Sequence, residues 1–144
     1  MNLCKNKSTP ENREFWKHVE TVAANVRADQ QQVAPIGTGD IVLDAVLPQI
    51  DRMLHYTNPT VDGERWLQLK AVRKALVERS AFGEKKYGTK LRVLNGRDAT
   101  YDLYQELLDG IMYAMQARME DKPGGHMVEL LVGLAGQIVG RFDI

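Results

Sequence analysis

The sequence predicts an all-α protein, a bundle of four or five helices. Apolar residues recur every three or four positions through most of the 144 residues, which is the period of an amphipathic helix. Only Leu91 and Val93 alternate with charged residues, and the sequence shows no second strand with which they could pair. No repeat or low-complexity stretch divides the chain. We therefore expect a flexible tail over residues 1–10 and a single helical domain over residues 11–144.

The first two predicted helices cover about residues 11–32 and about residues 40–55. The breaker sequence Pro35-Ile36-Gly37-Thr38-Gly39 separates them. Pro48 lies inside the apolar pattern of the second helix and lacks a backbone N–H. The sequence therefore predicts a kink at this position, or two short helices in place of one.

The third predicted helix covers about residues 63–82, and either Thr60 or Asp62 can cap its first turn. Trp66 and further apolar residues follow at helical spacing. From residue 83 to residue 97 the helical period is lost, so this segment is predicted to be a loop.

The fourth predicted helix begins at Asp98 or Thr100, either of which can cap it, and ends near Glu120. Its apolar face is formed by Leu103, Tyr104, Leu107, Leu108, Ile111 and Met115. The sequence Pro123-Gly124-Gly125 precedes a fifth helix of about residues 126–142. Three glycines lie on one side of that helix: Gly133, Gly136 and Gly140. They predict close packing, either against a helix of the same chain or at a subunit interface.

Composition and charge exclude several classes of protein. The chain has 19 basic and 19 acidic residues, and this zero net charge argues against a dedicated binder of long nucleic acids or of membranes. A single cysteine can form neither an internal disulfide nor a cysteine-based zinc site. No stretch reaches the roughly 20 apolar residues of a membrane span, and the start lacks the apolar run of a signal peptide. We expect a cytoplasmic protein.

The fourth helix carries an acidic stripe, formed by Asp102, Glu106 and Asp109. Helical geometry places these three carboxylates within about 60° of one another. No lysine or arginine occurs between residues 98 and 116 to offset their repulsion. The stripe is either a solvated helix face or a site for a divalent cation, and carboxylate ligands suit Mg²⁺ or Mn²⁺.

A basic segment directly precedes this helix. It contains five basic residues and no acidic one: Lys85, Lys86, Lys90, Arg92 and Arg97. Carboxylates next to cationic side chains can hold a metal-bound phosphate, because the basic groups neutralise the oxygens that the metal does not reach. Tyr87 lies between Gly83 and Gly88, which leave the backbone free to approach a ligand closely. Its ring can stack on a base. The alternative is an ordinary basic surface loop; the sequence lacks a P-loop.

Glu78 is a further candidate ligand on the third helix. Ala71 and Ala75 lie on the same side of that helix as Glu78. Because both residues are small, another element of the fold can approach Glu78 closely. Glu78 either completes a metal site with the acidic stripe or is a surface residue beside Lys74 and Arg79.

Three motifs in this region resemble those of a known family. They read Phe82-Gly83-Glu84-Lys85-Lys86-Tyr87-Gly88, Asn95-Gly96-Arg97-Asp98 and Tyr104-Gln105-Glu106-Leu107-Leu108-Asp109. Over about residues 66–120 the sequence resembles the MazG-like all-α nucleoside triphosphate pyrophosphohydrolases, especially the small bacterial and phage members. The resemblance implies a helical bundle, assembled as a homo-oligomeric dimer or tetramer, that uses Mg²⁺ to hydrolyse nucleoside triphosphates to monophosphates and pyrophosphate.

The two metal motifs of this family are matched unequally. Glu106 and Asp109 match the second motif, Glu-x-x-Asp. In the first motif, Glu-Glu-x-x-Glu, Glu78 can stand for the last residue, but Lys74 and Ala75 occupy the first two positions. Asp102 lies one turn before Glu106 and can compensate for a missing ligand.

The resemblance assigns a role to each candidate residue. The metal ligands would be Glu106 and Asp109 with one or two of Glu78 and Asp102, and one of Glu106, Asp109 and Glu78 would act as general base. Phosphate-neutralising residues would be Lys85, Lys86 and Arg97, and base or sugar contacts would come from Tyr87 and Asn95. The predicted function is a hydrolase that cleans the nucleotide pool. The alternatives are a non-catalytic nucleotide- or protein-binding module of the same fold, and a helical interaction protein whose acidic stripe meets a basic partner.

Overall fold

The computed structural model describes residues 13, 14, 16, 17, 20 and 37–139. Residues 37–139 form four α-helices, which we number α1 (Val42–Tyr56), α2 (Gly63–Tyr87), α3 (Ala99–Met119) and α4 (Val128–Val139). A 3₁₀ turn, Gly125–Met127, leads into α4. The prediction of an all-α chain is confirmed for the described residues. None of these helices is both long and apolar enough to cross a membrane.

The ends of the chain bear on three of the predictions. Residues 13, 14, 16, 17 and 20 have helical backbone, as predicted for the first helix. The rest of that predicted helix and the predicted tail over residues 1–10 lie outside the described residues. So do residues 140–144, which include Gly140.

The described residues divide into two compact units, and each is described by itself. The α1–α2 unit comprises residues 37–97. The α3–α4 unit comprises residues 98–139, together with residues 13, 14, 16, 17 and 20. The single domain over residues 11–144 stays a prediction.

In the α1–α2 unit the two helices pack against each other, with Ile50 buried. Arg73 of α2 donates two hydrogen bonds to the carboxylate of Asp51 on α1, at 2.7 and 3.1 Å. These hydrogen bonds hold the pKa of Asp51 below its ordinary value. The ion pair therefore joins α1 to α2.

Helix α1 runs through Pro48 as one helix, so the predicted division into two short helices is wrong. Proline removes the hydrogen bond to the carbonyl four residues earlier, that of Asp44. Both Pro48 and Asp44 are exposed, and water can bind the carbonyl that proline leaves unpaired. The helix continues because its other face packs against α2.

Helix α2 is longer than predicted, because residues 83–87, predicted to be a loop, form its last turn. Gly88 ends the helix in the left-handed conformation (φ 75°), and its N–H donates to the carbonyl of Glu84 at 2.8 Å. The two lysines of this last turn interact favourably with the negative end of the helix dipole. At the other end the cap is Asp62, whose carboxylate accepts from the N–H of Arg65 at 3.2 Å.

The segment after α2 pairs with the residues at the start of α1, a partner that the sequence did not reveal. The N–H of Val42 donates to the carbonyl of Leu91, and the N–H of Val93 donates to that of Asp40, both at 3.0 Å. The two hydrogen bonds flank an isolated antiparallel bridge at Arg92. Gly39 is required here, because a Cβ at this position would lie 2.7 Å from Cγ2 of Val93 and within collision distance of its carbonyl.

In the α3–α4 unit the two helices pack through small residues. Ala114 of α3 and Ala135 of α4 are buried, and Gly110 would place a Cβ 3.7 Å from the Leu131 side chain. Asp98, one of the two predicted caps, caps α3 by accepting from the N–H groups of Thr100 and Tyr101 at 2.9 and 3.2 Å.

The predicted apolar positions of the two helices are only partly covered. Of the residues predicted to form the apolar face of α3, Leu103 and Met115 are exposed. At Gly133 and Gly136 an added Cβ would meet nothing within 4 Å. Packing within the chain and packing at a subunit interface, the two predicted roles of these glycines, both stay predictions.

Arg118 fixes the turn between α3 and α4. Its Nε donates to the carbonyl of Gly125 at 2.9 Å, and its two terminal nitrogens donate to the carboxylate of Glu129 at 2.9 and 2.7 Å. A two-bond arginine–carboxylate pair is the strongest of the exposed ion-pair geometries. These hydrogen bonds join the end of α3 to the beginning of α4.

The ion pair predicts a pH dependence of stability. Hydrogen bonds from Arg118 lower the pKa of Glu129 from 4.5 to about 2. Because the pKa is depressed in the folded state, the stabilisation is fully present above pH 4.5 and is lost as the pH falls toward 2. We expect Glu129→Gln to lower the urea midpoint of unfolding at pH 7 and to match the wild type near pH 2.

The control for this prediction is Asp121→Asn. Asp121 has a φ of 53°, a conformation that asparagine also tolerates, so the change removes a charge and keeps the backbone. We expect its urea midpoint to stay parallel to that of the wild type through the acid range. A Glu129→Gln curve that also stays parallel would contradict a stabilising role of the ion pair.

Candidate functional site

The acidic stripe is present on α3, with two of its three carboxylates exposed. Glu106 and Asp109 are exposed, and neither forms a hydrogen bond or ion pair with the described residues. Asp102 is half-buried and engaged in a further interaction. Asp98, which precedes the stripe, is committed to capping the helix. Two carboxylates are thus available to a ligand, one turn apart on the same face.

No group of three Asp, Glu, His or Cys side chains in the described part of the chain is arranged to hold a metal ion. Mg²⁺, however, does not usually require the protein to supply all of its ligands. Mg²⁺ keeps several waters and is commonly held by one or two carboxylates together with the phosphates of a substrate. Glu106 and Asp109 fit that smaller requirement in number, in chemistry and in spacing.

Glu78 lies in the α1–α2 unit, whereas the stripe lies in the α3–α4 unit. The carboxylate of Glu78 is 3.7 Å from Nζ of Lys74, one turn earlier on α2, and about two thirds of the side chain is exposed. This is the surface arrangement that the sequence left open as one alternative. Its role as a metal ligand stays a prediction.

The lysines and the tyrosine of the basic segment project from the last turn of a helix and not from a loop. Lys85, Lys86 and Tyr87 are all exposed. Nζ of Lys86 lies 4.9 Å from the centre of the Tyr87 ring. A hydrogen bond from Lys86 lowers the pKa of Tyr87, and the charges of Arg79 and Arg97 act in the same direction. The end of α2 therefore presents an aromatic ring in a positive field, which suits an anion with an attached base.

Asn95 and Arg97 lie in the turn that follows. Asn95 is buried, and its side-chain oxygen accepts from the N–H of Arg97 at 3.0 Å. Leu94 and Gly96, on either side of Asn95, both have positive φ angles. This oxygen therefore shapes the turn, as asparagine commonly does. A contact from Asn95 to base or sugar, and one from Arg97 to phosphate, stay predictions.

Two other cations of the basic segment have partners within the α1–α2 unit. Arg92 donates to the carbonyl of Gly39 at 2.8 Å, and Nζ of Lys90 lies 3.9 Å from the carboxylate of Glu84. Arg92 thus has a structural role. Lys85 and Lys86 are the more accessible cations for a phosphate group.

An open cavity of about 460 Å³ lies beside Arg92 in the α1–α2 unit. It is lined by Asp40, Ile41, Asp44, Ala45 and Arg92. Sequence reasoning missed this depression. The sequence shows Asp40 and Asp44 four positions apart at the start of α1. The position of Arg92 beside them depends on the pairing of segments that are far apart in the sequence.

Comparison with known proteins yields no match to a family model, to a curated protein or to a solved structure.

Proposed function

We propose that the chain is a Mg²⁺-dependent nucleoside triphosphate pyrophosphohydrolase, acting in the cytoplasm as a homo-oligomer on the nucleotide pool. The observation that carries the proposal is the pair Glu106 and Asp109. Both carboxylates are exposed on one face of α3, and no basic residue lies near them in the sequence. Their spacing is that of the Glu-x-x-Asp metal motif in the family that the sequence resembles.

The charge of the stripe favours a cation ligand over a solvated surface. Like charges one turn apart on a helix destabilise it, and the stripe contains two such steps, from Asp102 to Glu106 and from Glu106 to Asp109. A bound divalent cation removes this repulsion. Mn²⁺ has the same preference for oxygen ligands and is the natural substitute for Mg²⁺.

A bound Mg²⁺ would polarise the phosphate oxygens of the substrate. Glu106 and Asp109 would hold that ion through their carboxylates. One of Glu106, Asp109 and Glu78 would accept the proton of the water that attacks phosphorus, as the bond between the α- and β-phosphates breaks to give monophosphate and pyrophosphate. By the family resemblance, Lys85 and Lys86 would neutralise the outer phosphates and Tyr87 would stack against the base. Glu78 and Asp102 are proposed as additional ligands, each tested by its own glutamine or asparagine variant.

The proposal is tested by measuring pyrophosphate and monophosphate release from a panel of ribo- and deoxyribonucleoside triphosphates. We expect turnover with Mg²⁺ or Mn²⁺ and none after chelation with EDTA. Products of the alternative cleavage, diphosphate and free phosphate, are measured in parallel. Absence of pyrophosphate release from every substrate with both metals would refute the enzymatic proposal.

The second candidate is a non-catalytic nucleotide-binding module of the same fold. It is favoured by Lys74 and Ala75, which stand where the family's first acidic motif has glutamates. Thermal unfolding separates the two candidates, because a ligand that binds only the folded state raises the melting temperature. Stabilisation by a triphosphate that requires Mg²⁺, without turnover, indicates the binding module. No stabilisation and no turnover would leave the acidic stripe as a surface for a basic partner.

A further inference from the structure

The open cavity of the α1–α2 unit has no part in the proposed reaction. Its volume of about 460 Å³ is within the usual range for sites that bind small molecules. A round cavity of this volume is about 10 Å across. Its wall combines three charged and two apolar side chains: Asp40, Asp44 and Arg92, with Ile41 and Ala45.

Arg92 is held in place at the wall of this cavity. Its Nη1 donates to the carbonyl of Gly39 at 2.8 Å. A Cβ at Gly37 would lie 3.2 Å from Cδ of Arg92, so the backbone at Gly37 packs directly on the stem of the arginine. Backbone hydrogen bonds at Leu91 and Val93 fix the segment on either side. A charged group that is already positioned binds a ligand at a lower cost in conformational entropy.

Opposite charges line the cavity without neutralising each other. Arg92 is half-buried, and its guanidinium forms no ion pair with any carboxylate in the described part of the chain. The side chains of Asp40 and Asp44 are exposed, and within residues 37–139 neither accepts a hydrogen bond or forms an ion pair. A ligand in this cavity therefore meets both a cation and two carboxylates that are still available to it.

This combination of charges favours a ligand that carries both signs. A polyphosphate would be repelled by the two carboxylates, and a divalent cation would be repelled by the guanidinium. A zwitterion can place its cationic group on the carboxylates and its anionic group on the guanidinium. In a free α-amino acid both groups are attached to one carbon. With one hydrogen bond at each end such a molecule spans about 9 Å, which matches the width of the cavity.

We propose that this cavity is a binding site for a free α-amino acid. The carboxylate of the ligand binds the N–H groups of Arg92 that Gly39 leaves unoccupied, and its ammonium group binds Asp40 and Asp44. Ile41 and Ala45 supply the apolar part of the wall, so an aliphatic side chain is the best fit. The proposal uses none of the residues assigned to nucleotide hydrolysis and does not depend on that activity.

The test is a titration of the full chain with L-leucine, followed by the NMR signals of its backbone amides. We expect the signals of residues 40–45 and 90–93 to shift with a dissociation constant of about 1 mM or lower, as suits an open site. Two analogues separate the charges of the ligand: N-acetyl-L-leucine lacks the ammonium group, and L-leucinamide lacks the carboxylate. We expect each to bind at least about tenfold more weakly than L-leucine.

Asp44→Asn tests the site from the side of the protein, and we expect it to weaken L-leucine binding at least about tenfold. The matched control is Glu64→Gln, an exposed position of the same unit outside the cavity, which should bind like the wild type. If Asp44→Asn loses helical signal in circular dichroism, Asp40→Asn, which lies before the helix, provides the measurement. The proposal is overturned if L-leucine shifts no signal up to about 20 mM, if both analogues bind as well as L-leucine, or if the folded aspartate variant binds like the wild type.

Discussion

Glu106→Gln is expected to reduce pyrophosphate release by about 100-fold or more, a loss typical of removing a catalytic carboxylate. Glutamine keeps the shape of the side chain and removes its charge, so the variant tests the carboxylate itself. Glu106 forms no hydrogen bond or ion pair with the described residues, and it lies one turn from Asp102 and from Asp109. Its replacement should therefore leave the fold intact and raise the melting temperature slightly, because repulsion within the stripe falls.

The control for this prediction is Glu64→Gln. Glu64 is an exposed glutamate in the first turn of α2 and accepts one hydrogen bond from Gln68. We expect the Glu64 variant to keep the turnover of the wild type. If the wild type is active and Glu106→Gln matches its rate at every Mg²⁺ concentration, Glu106 is not a metal ligand.

Gly125→Ala is expected to destabilise the α3–α4 unit by about 3 kcal/mol, the upper end of the usual cost of overpacking. Gly125 is buried, and a Cβ at this position would lie 2.6 Å from Cα and 2.8 Å from the backbone N of Arg118. These atoms belong to the backbone of α3 and cannot move aside as a side chain would. Either the turn or the end of α3 has to shift, and the hydrogen bonds of Arg118 are lost with it.

Gly110→Ala is the matched control, in the same pair of helices. Its new Cβ would lie 3.7 Å from the Leu131 side chain, which is an ordinary van der Waals contact. Alanine is favoured over glycine inside a helix by roughly 0.5–1 kcal/mol, so we expect this variant to be more stable than the wild type. Urea unfolding, followed by circular dichroism, measures the free energy of unfolding of both variants. Equal values for Gly125→Ala and Gly110→Ala would contradict the close contact of Gly125 with the backbone of α3.

The parts of the fold that depend on local chemistry could be predicted from the sequence. Asp98 was identified as one of two caps of α3, and α3 begins one residue after it. The end of α2 could not be predicted from apolar spacing, since its last turn is basic and exposed. The pairing of Val42 with Leu91 joins residues far apart in the sequence, and nothing in either segment alone indicates the other.

The same distinction applies to the candidate site. The acidic stripe is a consequence of helical periodicity, so residue spacing alone placed Glu106 and Asp109 on one face. The partners of other candidates depend on tertiary structure. The sequence could not show that Arg92 would bind the carbonyl of Gly39, or that Asn95 would be buried in a turn. Lys74 beside Glu78 is a local pair, and it was among the alternatives that the sequence left open.

The hydrogen bonds of Arg118 also have a consequence for the order of folding. They join residues only 7 and 11 positions apart, whereas the bond from Arg92 to Gly39 spans 53 positions. Closing the longer loop costs about 2 kcal/mol more conformational entropy than closing the shorter one. The turn between α3 and α4 is therefore favoured to close first, on the fast timescale of local helical contacts, and the Gly39–Arg92 connection forms later.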